Sequence, residues 1–418
     1  MSHSSLLVMA VGFLPLGLSA AQPPAARVAL VGATLIDGTG AAPVPSATIL
    51  IEGSRITAVG PRRGISVPPG TTVIDVTGKY LLPGFVDLHM HLTFPANQDL
   101  DALQTDSEAT LRAIYYMEMF HRLGITSVRD VAAPIGPLTA AAAALIGAGL
   151  ESAVRVFGVG QLITSTGGHG AGLRAAIEVD GPVEFRKAVR MMHDQGFNHI
   201  KLSPFYTREE VEAAVDEAKT RGMRITSHGG GVSDTWPTSM TKLAVAAGVQ
   251  SIEHLNQMED DALDLIAAKG VAIIPTIAIY RHLYLENQIS REMIERRGWK
   301  REMHELLFRK AHQRGILLGV GSDAVGDMMK LYPDLYFEEM RYFVELGMTP
   351  MEAIVAATKN GGIIIGDQYG IGTLEPGKLA DLQVLATDPL ASFSGLGKPE
   401  LVMIGGRIRR SPWDRGRA

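Results

Sequence analysis

Six residues of this 418-residue chain carry side chains that can bind a metal or move a proton, and each falls at or near the end of a short apolar, β-branched run. They are His89 and His91 in Asp87-Leu88-His89-Met90-His91, Lys201 in His199-Ile200-Lys201-Leu202, and then His228, His254 and Asp323. Residues two apart in a strand share a face, so His89 and His91 project together and can hold one metal ion, with Asp87 placed on the same face to orient them from behind. Taken singly, each histidine is more often a core or surface residue than a ligand, and a lone lysine is usually solvated. Their joint position at one end of five strands points to a built site. The chain has 12 histidines and no cysteine. Disulfides, thiolate metal sites and cysteine nucleophiles are therefore excluded, and any metal must be held by nitrogen and oxygen donors.

The elements that position these residues have a regular rhythm. Eight β-branched runs, Gly84–His91, Ile125–Asp130, Val154–Gly160, His199–Leu202, Arg224–His228, Ser251–His254, Val271–Thr276 and Leu317–Asp323, alternate with helical stretches such as Arg208–Thr220 and Ala262–Lys269. That alternation predicts an α/β fold, a (β/α)8 TIM-like barrel over residues 81–369, with catalytic groups at the C-terminal ends of its strands. An open doubly wound sheet is the competing architecture, and the first strand lacks the Gly-rich dinucleotide fingerprint it would carry. Residues 27–80 and 370–412 read instead as short antiparallel strands, which predicts a small β-sandwich assembled from both chain ends. Residues 277–314 and 324–336 interrupt the rhythm at the mouth of the barrel. Tyr280, Arg281, His282 and Tyr284, and then Met328, Met329, Tyr332 and Tyr336, are candidates there for choosing a substrate, or for capping the barrel.

Asp+Glu 44 against Lys+Arg 39 gives a net charge of -5, which speaks against a nucleic-acid partner; hydrophobic residues at 46% can bury a sizeable core. Leu6–Leu18 is apolar over about the length of a signal core and leads to Ser19-Ala20-Ala21. Residues 1–21 are expected to be an export leader, giving a periplasmic or secreted protein with no membrane attachment in its mature form. The leader has no Lys or Arg, and a cytoplasmic protein with a misplaced start is the alternative.

With the residues laid out, the chain resembles the amidohydrolase superfamily in its two-metal form with a carboxylated lysine. Leu82-Pro83-Gly84-Phe85-Val86-Asp87-Leu88-His89-Met90-His91 resembles the family's opening motif, and Ile371-Gly372-Thr373-Leu374-Glu375-Pro376-Gly377-Lys378-Leu379-Ala380-Asp381 its return into the sandwich. The resemblance implies two divalent metal ions: His89 and His91 on the buried one, Lys201 as a carbamate bridging both, His228 and His254 on the outer one, and Asp323 touching the buried metal and a bridging hydroxide. Zinc is the first metal expected from such donors, with Mn, Co or Fe as alternatives. Burial favours a neutral lysine amine, which can add carbon dioxide and so supply the anionic ligand the fourth strand otherwise lacks.

Thr166-Gly167-Gly168-His169-Gly170 is similar to a segment of the branch holding Xaa-Pro dipeptidases, imidazolonepropionase-like enzymes and ochratoxin-type amidases. There the corresponding histidine helps to bind or polarise the substrate carbonyl, which implies that role for His169; a plain flexible loop is the other reading. One departure stands out: His228 is followed by Gly229-Gly230-Gly231, where the dipeptidases carry a polar side chain for the substrate carboxylate. Tyr280, His282 or Arg281 are left to supply it. Arg129 and Asp130 read as supports.

The activity implied is hydrolysis of an amide, in a dipeptide or N-acyl amino acid, by hydroxide bridging the metals. Asp323 would relay the proton to the leaving amine. A lactonase or organophosphate hydrolase on the same centre is the alternative, and a non-catalytic scaffold a further one. The partner implied is a small-molecule amide or dipeptide, and self-association into a homo-oligomer is common among similar proteins.

Overall fold

The structure, a computed structural model, describes residues 26–95, 101, 103–136, 138, 141, 154–230, 239–256, 258–285, 300–325, 332 and 334–410. The expected leader, Gly231, Met328, Met329 and the side chain of Tyr284 lie outside this description.

Both chain ends meet in one sheet. Arg27–Leu35 pairs antiparallel with Val44–Glu52, which pairs antiparallel with Arg55–Pro61. On its other side Arg27–Leu35 pairs parallel with Thr72–Asp75 and Tyr80–Pro83. Tyr80–Pro83 then takes Leu382–Leu385 antiparallel, and Leu401–Ile404 and Arg407–Arg410 complete the sheet. The sheet is therefore mixed, where the pattern of short strands had suggested a purely antiparallel one. Residues 62–71, with Pro68-Pro69-Gly70, carry the chain back to the starting end of the first strand, so the next strand must run parallel to it. One apolar cluster, including Leu30, Ile49, Ile56, Leu81, Leu382 and Met403, fixes the union of the two ends.

The middle of the chain forms parallel strands. Phe85–Met90, Ile125–Asp130 and Arg155–Gly158 make one sheet; Ala176–Glu178, Leu162–Thr164, His199–Leu202, Arg224–His228, Ser251–Glu253 and Ala272–Ile274 make another, in that spatial order. Most of these strands are buried along their whole length, as parallel strands covered on both faces must be. Ala176–Glu178 is an addition the sequence reading did not contain. It is three residues long and partly exposed, too short to carry a period.

Leu317–Asp323 departs from the expected eighth strand. It makes isolated parallel bridges, Ile273 to Leu318 and Met90 to Ala324, instead of a continuous ladder. The backbone bonds Gly319 N to Ile273 O, Leu88 N to Val320 O and Asp323 N to His89 O still tie it to the last strand of the larger sheet and the first strand of the smaller. At its end Asp323 lies at φ 49°, outside β geometry.

Helices cover these strands. Pro182–Asp194 buries Phe185, Ala188, Val189 and Met192, one stripe at helical spacing. Arg208–Thr220 starts on a capping box in which Thr207 and Glu210 satisfy each other's backbone N–H groups. Arg155 grips Asp381 through two bonds, of 2.7 and 3.1 Å, and Gly405 N donates to the same carboxylate at 2.6 Å; the composite sheet is thereby tied to the parallel strands. Among the described residues, no helix is long and apolar enough to cross a membrane.

Candidate active site

His89 is the last residue but one of the strand Phe85–Met90, and His91 follows the strand. Asp323 reaches the pair from the neighbouring segment, because its N–H is bonded to His89 O at 2.7 Å. Gly321 makes the approach possible: a Cβ there would lie 2.5 Å from Ile274 and 2.8 Å from the His89 side chain. The Nε2 atoms of His89 and His91 each stand 3.3 Å from Asp323 Oδ1. One ligand atom from each of His89, His91 and Asp323 lies within 4.8 Å of the others. His89 Nε2 is buried without a well-aligned hydrogen-bond partner. Two imidazole nitrogens and a carboxylate oxygen gathered this way fit a divalent cation.

The other expected residues extend this cluster. The His254 ring lies 4.6 Å from that of His89 and 4.5 Å from that of His228, centroid to centroid, and His169 lies 4.3 Å from His228. Lys201 is buried on the adjacent strand, in register with Thr226, two residues before His228. Burial, which penalises its charge, brings the ammonium pKa down to about 8. Burial and neighbouring histidine charge also hold His228 and His254 well below the ordinary range. Both are therefore neutral near pH 7, the form that binds metals. Asp323 is pushed up by burial, but the charge of His89 and bonds from His89 and His91 hold it well below the usual carboxylate range.

Backbone strain concentrates here. Among the described residues, His254, Thr276 and Asp323 have φ of 71°, 52° and 49°, and Ser46 is the one other non-glycine residue in the left-handed region. Such conformations persist where surrounding structure enforces them, often at functional sites. Thr276 Oγ1 lies 2.6 Å from His254 Nδ1, so two strained residues brace each other.

Asp87 meets His89 through the backbone, accepting from His89 N at 3.2 Å, and is bonded to neither imidazole ring. Its carboxylate accepts from Ser322 N, Ser322 Oγ and Tyr332 Oη at 3.0, 2.7 and 3.1 Å, holding the turn that delivers Asp323. The residue behind His89 is Glu253, whose Oε2 lies 2.7 Å from His89 Nδ1. Glu253 is fully buried and also bonded by Arg129 and Thr226. A glutamate inside Ser251-Ile252-Glu253-His254 was the available signal: a charge within a short strand expected to be buried on both faces must be paired. Asp130 receives Leu92 N and Ala132 N at 2.8 and 3.1 Å and so supports the loop after His91.

The mouth residues separate into two groups. Tyr280 lies 5.7 Å from His254, ring to ring. His282 is bonded to Glu338 at 2.5 Å and Arg281 packs over Tyr342, both on the helix Asp334–Glu345. Tyr280 and His282 therefore do not face the centre together, since residues two apart on a helix are turned about 200° from each other. Tyr332 and Tyr336 are likewise buried, bonded to Asp87 and to Val86 O, and pack beneath the first strand instead of lining the mouth.

Comparison with known proteins agrees with this geometry. The model of the amidohydrolase family matches residues 80–409. Ochratoxinase of Aspergillus niger is 25% identical, over 93% of this chain and 88% of its own length. Imidazolonepropionase of Symbiobacterium thermophilum is 26% identical over 88% and 91%. A prolidase solved with N-methylphosphonate-L-proline superposes with a TM-score of 0.80 at 27% identity, covering 92% of this chain and 100% of the prolidase. With the family model spanning well over half of its length, the chain belongs to the amidohydrolase family.

Proposed function

We propose that this protein hydrolyses amide bonds of small molecules, N-acyl amino acids or dipeptides, at a centre of two divalent ions. His89, His91, His228, His254, Asp323 and a carbamate on Lys201 would hold them, with zinc the first candidate. The observation that carries this reading is the convergence of His89, His91 and Asp323 within 4.8 Å, with the His254 ring beside that of His89 and the His228 ring beside that of His254. When bound, divalent ions lower the pKa of water and polarise a carbonyl oxygen.

The chain's own residues supply the rest. Asp323 sits between His89, His91 and His254, with an oxygen 3.3, 3.3 and 3.9 Å from their nitrogens. Its carboxylate is placed to take a proton from the attacking water and return it to the leaving nitrogen. His169, next to His228, would orient the substrate carbonyl. Its loop is fixed by His169 N donating to Pro204 O and by Glu178, which accepts from Gly167 N and Gly172 N at 3.0 Å each.

We further read residues 81–369 as a (β/α)8 barrel, with 27–80 and 370–412 as its companion β-sandwich, and residues 1–21 as an export leader. The segment Leu317–Ala324, bonded to both parallel sheets, supports closure of the barrel. A panel of N-acyl amino acids, dipeptides, lactones and aryl phosphotriesters at equal concentration, run with metal analysis, tests the activity. Turnover of the amides with about two ions per chain is expected. Turnover of lactones alone, or less than one ion per chain after chelator-free purification, would falsify the assignment.

A further inference from the structure

The strands that end at the candidate site begin at a cavity. A space of about 420 Å3 lies against Arg224, Lys219, Lys269, Gly248, Leu317 and Ile364. Arg224 opens the strand that His228 closes, so the cavity stands at the other end of the strand from that histidine, roughly 13 Å away at the rise of a strand. Arg224 shares a face with Thr226 and His228. It is half-buried, and its Nε is buried without a hydrogen-bond partner. Among the described residues the guanidinium makes no hydrogen bond and no ion pair. Burial and the charge of Arg129 lower its pKa, against the fields of Asp367 and Tyr369, and an arginine stays ionised all the same. A charge withdrawn from water and left unpaired is costly, and a planar fork of N–H donors matches a carboxylate or a phosphate.

Lys219 and Lys269 add to this charge. Each lies in the last turn of its helix, Arg208–Thr220 and Asp260–Lys269, where an ammonium offsets the negative end of the helix dipole. The carbonyls at these ends are already bonded: Ala218 O accepts from Met223 N, Ile266 O from Val271 N, and Ala244 O from Gly248 N and Val249 N. Lys219 turns toward the cavity, since a Cβ at Gly248 would lie 2.9 Å from its Nζ. Among the described residues neither ammonium has an ion-pair partner, and no Asp or Glu lines the cavity. Three full positive charges outweigh the partial charges of the helix ends, so the cavity is net positive.

The geometry points to a second ligand site at this end of the strands, one for a small organic oxyanion: its carboxylate or phosphate group is held by the guanidinium of Arg224, with Lys219 and Lys269 at the rim and Leu317 and Ile364 against its apolar part. The site goes beyond the amidase reading above and does not depend on it.

The test is calorimetric titration of metal-loaded full-length protein with inorganic phosphate, phenyl phosphate and benzoate, at an ionic strength held constant with chloride. An oxyanion bound at the metal centre gives the same heat in every variant, so this site is read from the differences between variants. Arg224→Gln is expected to weaken binding of at least one of the three probes by about tenfold or more. The double variant Lys219→Gln/Lys269→Gln, which alters exposed side chains alone, is expected to weaken it by about threefold. Phenyl phosphate bound more tightly than benzoate identifies a phosphorylated ligand, and the reverse order a carboxylate; both support the proposal. Coincident isotherms for wild type and both variants overturn it. A loss in Arg224→Gln that comes with a lowered melting temperature, while the double variant binds as wild type does, overturns it as well.

Discussion

Glu253 Oε2 receives His89 Nδ1 at 2.7 Å inside the core, and Arg129 and Thr226 bond the other oxygen of the same carboxylate. The contact fixes the imidazole ring with Nδ1 toward Glu253 and Nε2 toward Asp323. Glu253→Gln is expected to weaken divalent-ion affinity by about 10–100-fold, the usual effect of losing a carboxylate behind a histidine ligand. It also deprives Arg129 of a buried counter-charge, at roughly 3 kcal/mol of stability. Calorimetric titration of the folded apo-protein with Zn2+ measures the first effect and chemical denaturation the second; wild-type affinity in the variant would sink the role assigned to Glu253.

Lys201 lies on the strand between the Leu162–Thr164 and Arg224–His228 strands, buried and within electrostatic reach of Glu253, Asp323 and Asp130. If it carries the proposed carbamate, Lys201→Ala should lose activity and bound metal together, and short carboxylic acids should restore part of both by filling the vacated space. Labelled bicarbonate should give a carbamate carbon signal in the wild-type NMR spectrum that the variant lacks. A variant retaining two ions without added acid would refute the bridge.

The cluster of His89, His91 and Asp323 was legible because strand periodicity and strand-end position are sequence-local, and Lys201, His228 and His254, the other residues proposed to hold metal, sit likewise at or near the ends of β-branched runs. The strands Ile125–Asp130, His199–Leu202 and Arg224–His228 and the helix Arg208–Thr220 have the boundaries their patterns implied. What could not be read depends on contacts between distant segments. Glu253 meets His89 across 164 positions, and His304 meets Asn256 across 48. Asp87 was misjudged because face-sharing in a strand gives direction but not reach. A carboxylate two residues from an imidazole is drawn instead to Ser322 and Tyr332, which offer donors at 2.7 and 3.1 Å. Parallel pairing of Arg27–Leu35 with Thr72–Asp75 was hidden for a similar reason, since a hairpin pattern says nothing of how the chain returns.

Asp323 combines a reactive position with a left-handed backbone, and two substitutions separate these. Asn tolerates φ 49° nearly as well as Asp, whereas Ala does not. Asp323→Asn should therefore fold normally and lose about 10²–10⁴ in kcat/KM, as expected for a missing proton relay. Asp323→Ala should lose at least as much activity and also about 1 kcal/mol of stability. Steady-state kinetics together with thermal melts resolve the two effects. An Asn variant within a few fold of wild type removes Asp323 from the chemistry.

Glu339 is fully buried on the helix Asp334–Glu345, where Oε2 accepts from Ala278 N at 2.7 Å and Oε1 is buried without a partner. Burial pushes its pKa up to about 8 from 4.5, against the bonds from Ala278, Ile277 and Thr276. The folded chain thus keeps a proton that the unfolded chain releases as pH rises past 4.5. More protons bound in the folded state means that stability falls with increasing pH across this window, by on the order of 1 kcal/mol per unit, and levels off above about 8. Below 4.5 both states are protonated and the contribution vanishes. Glu339→Gln resembles the protonated side chain and can still accept from Ala278, so its stability should lack this decline. Urea denaturation at pH 5, 6, 7 and 8 should show the difference between variant and wild type growing with pH by about one proton's linkage; parallel pH profiles would show that Glu339 ionises in the folded protein as freely as in the unfolded chain.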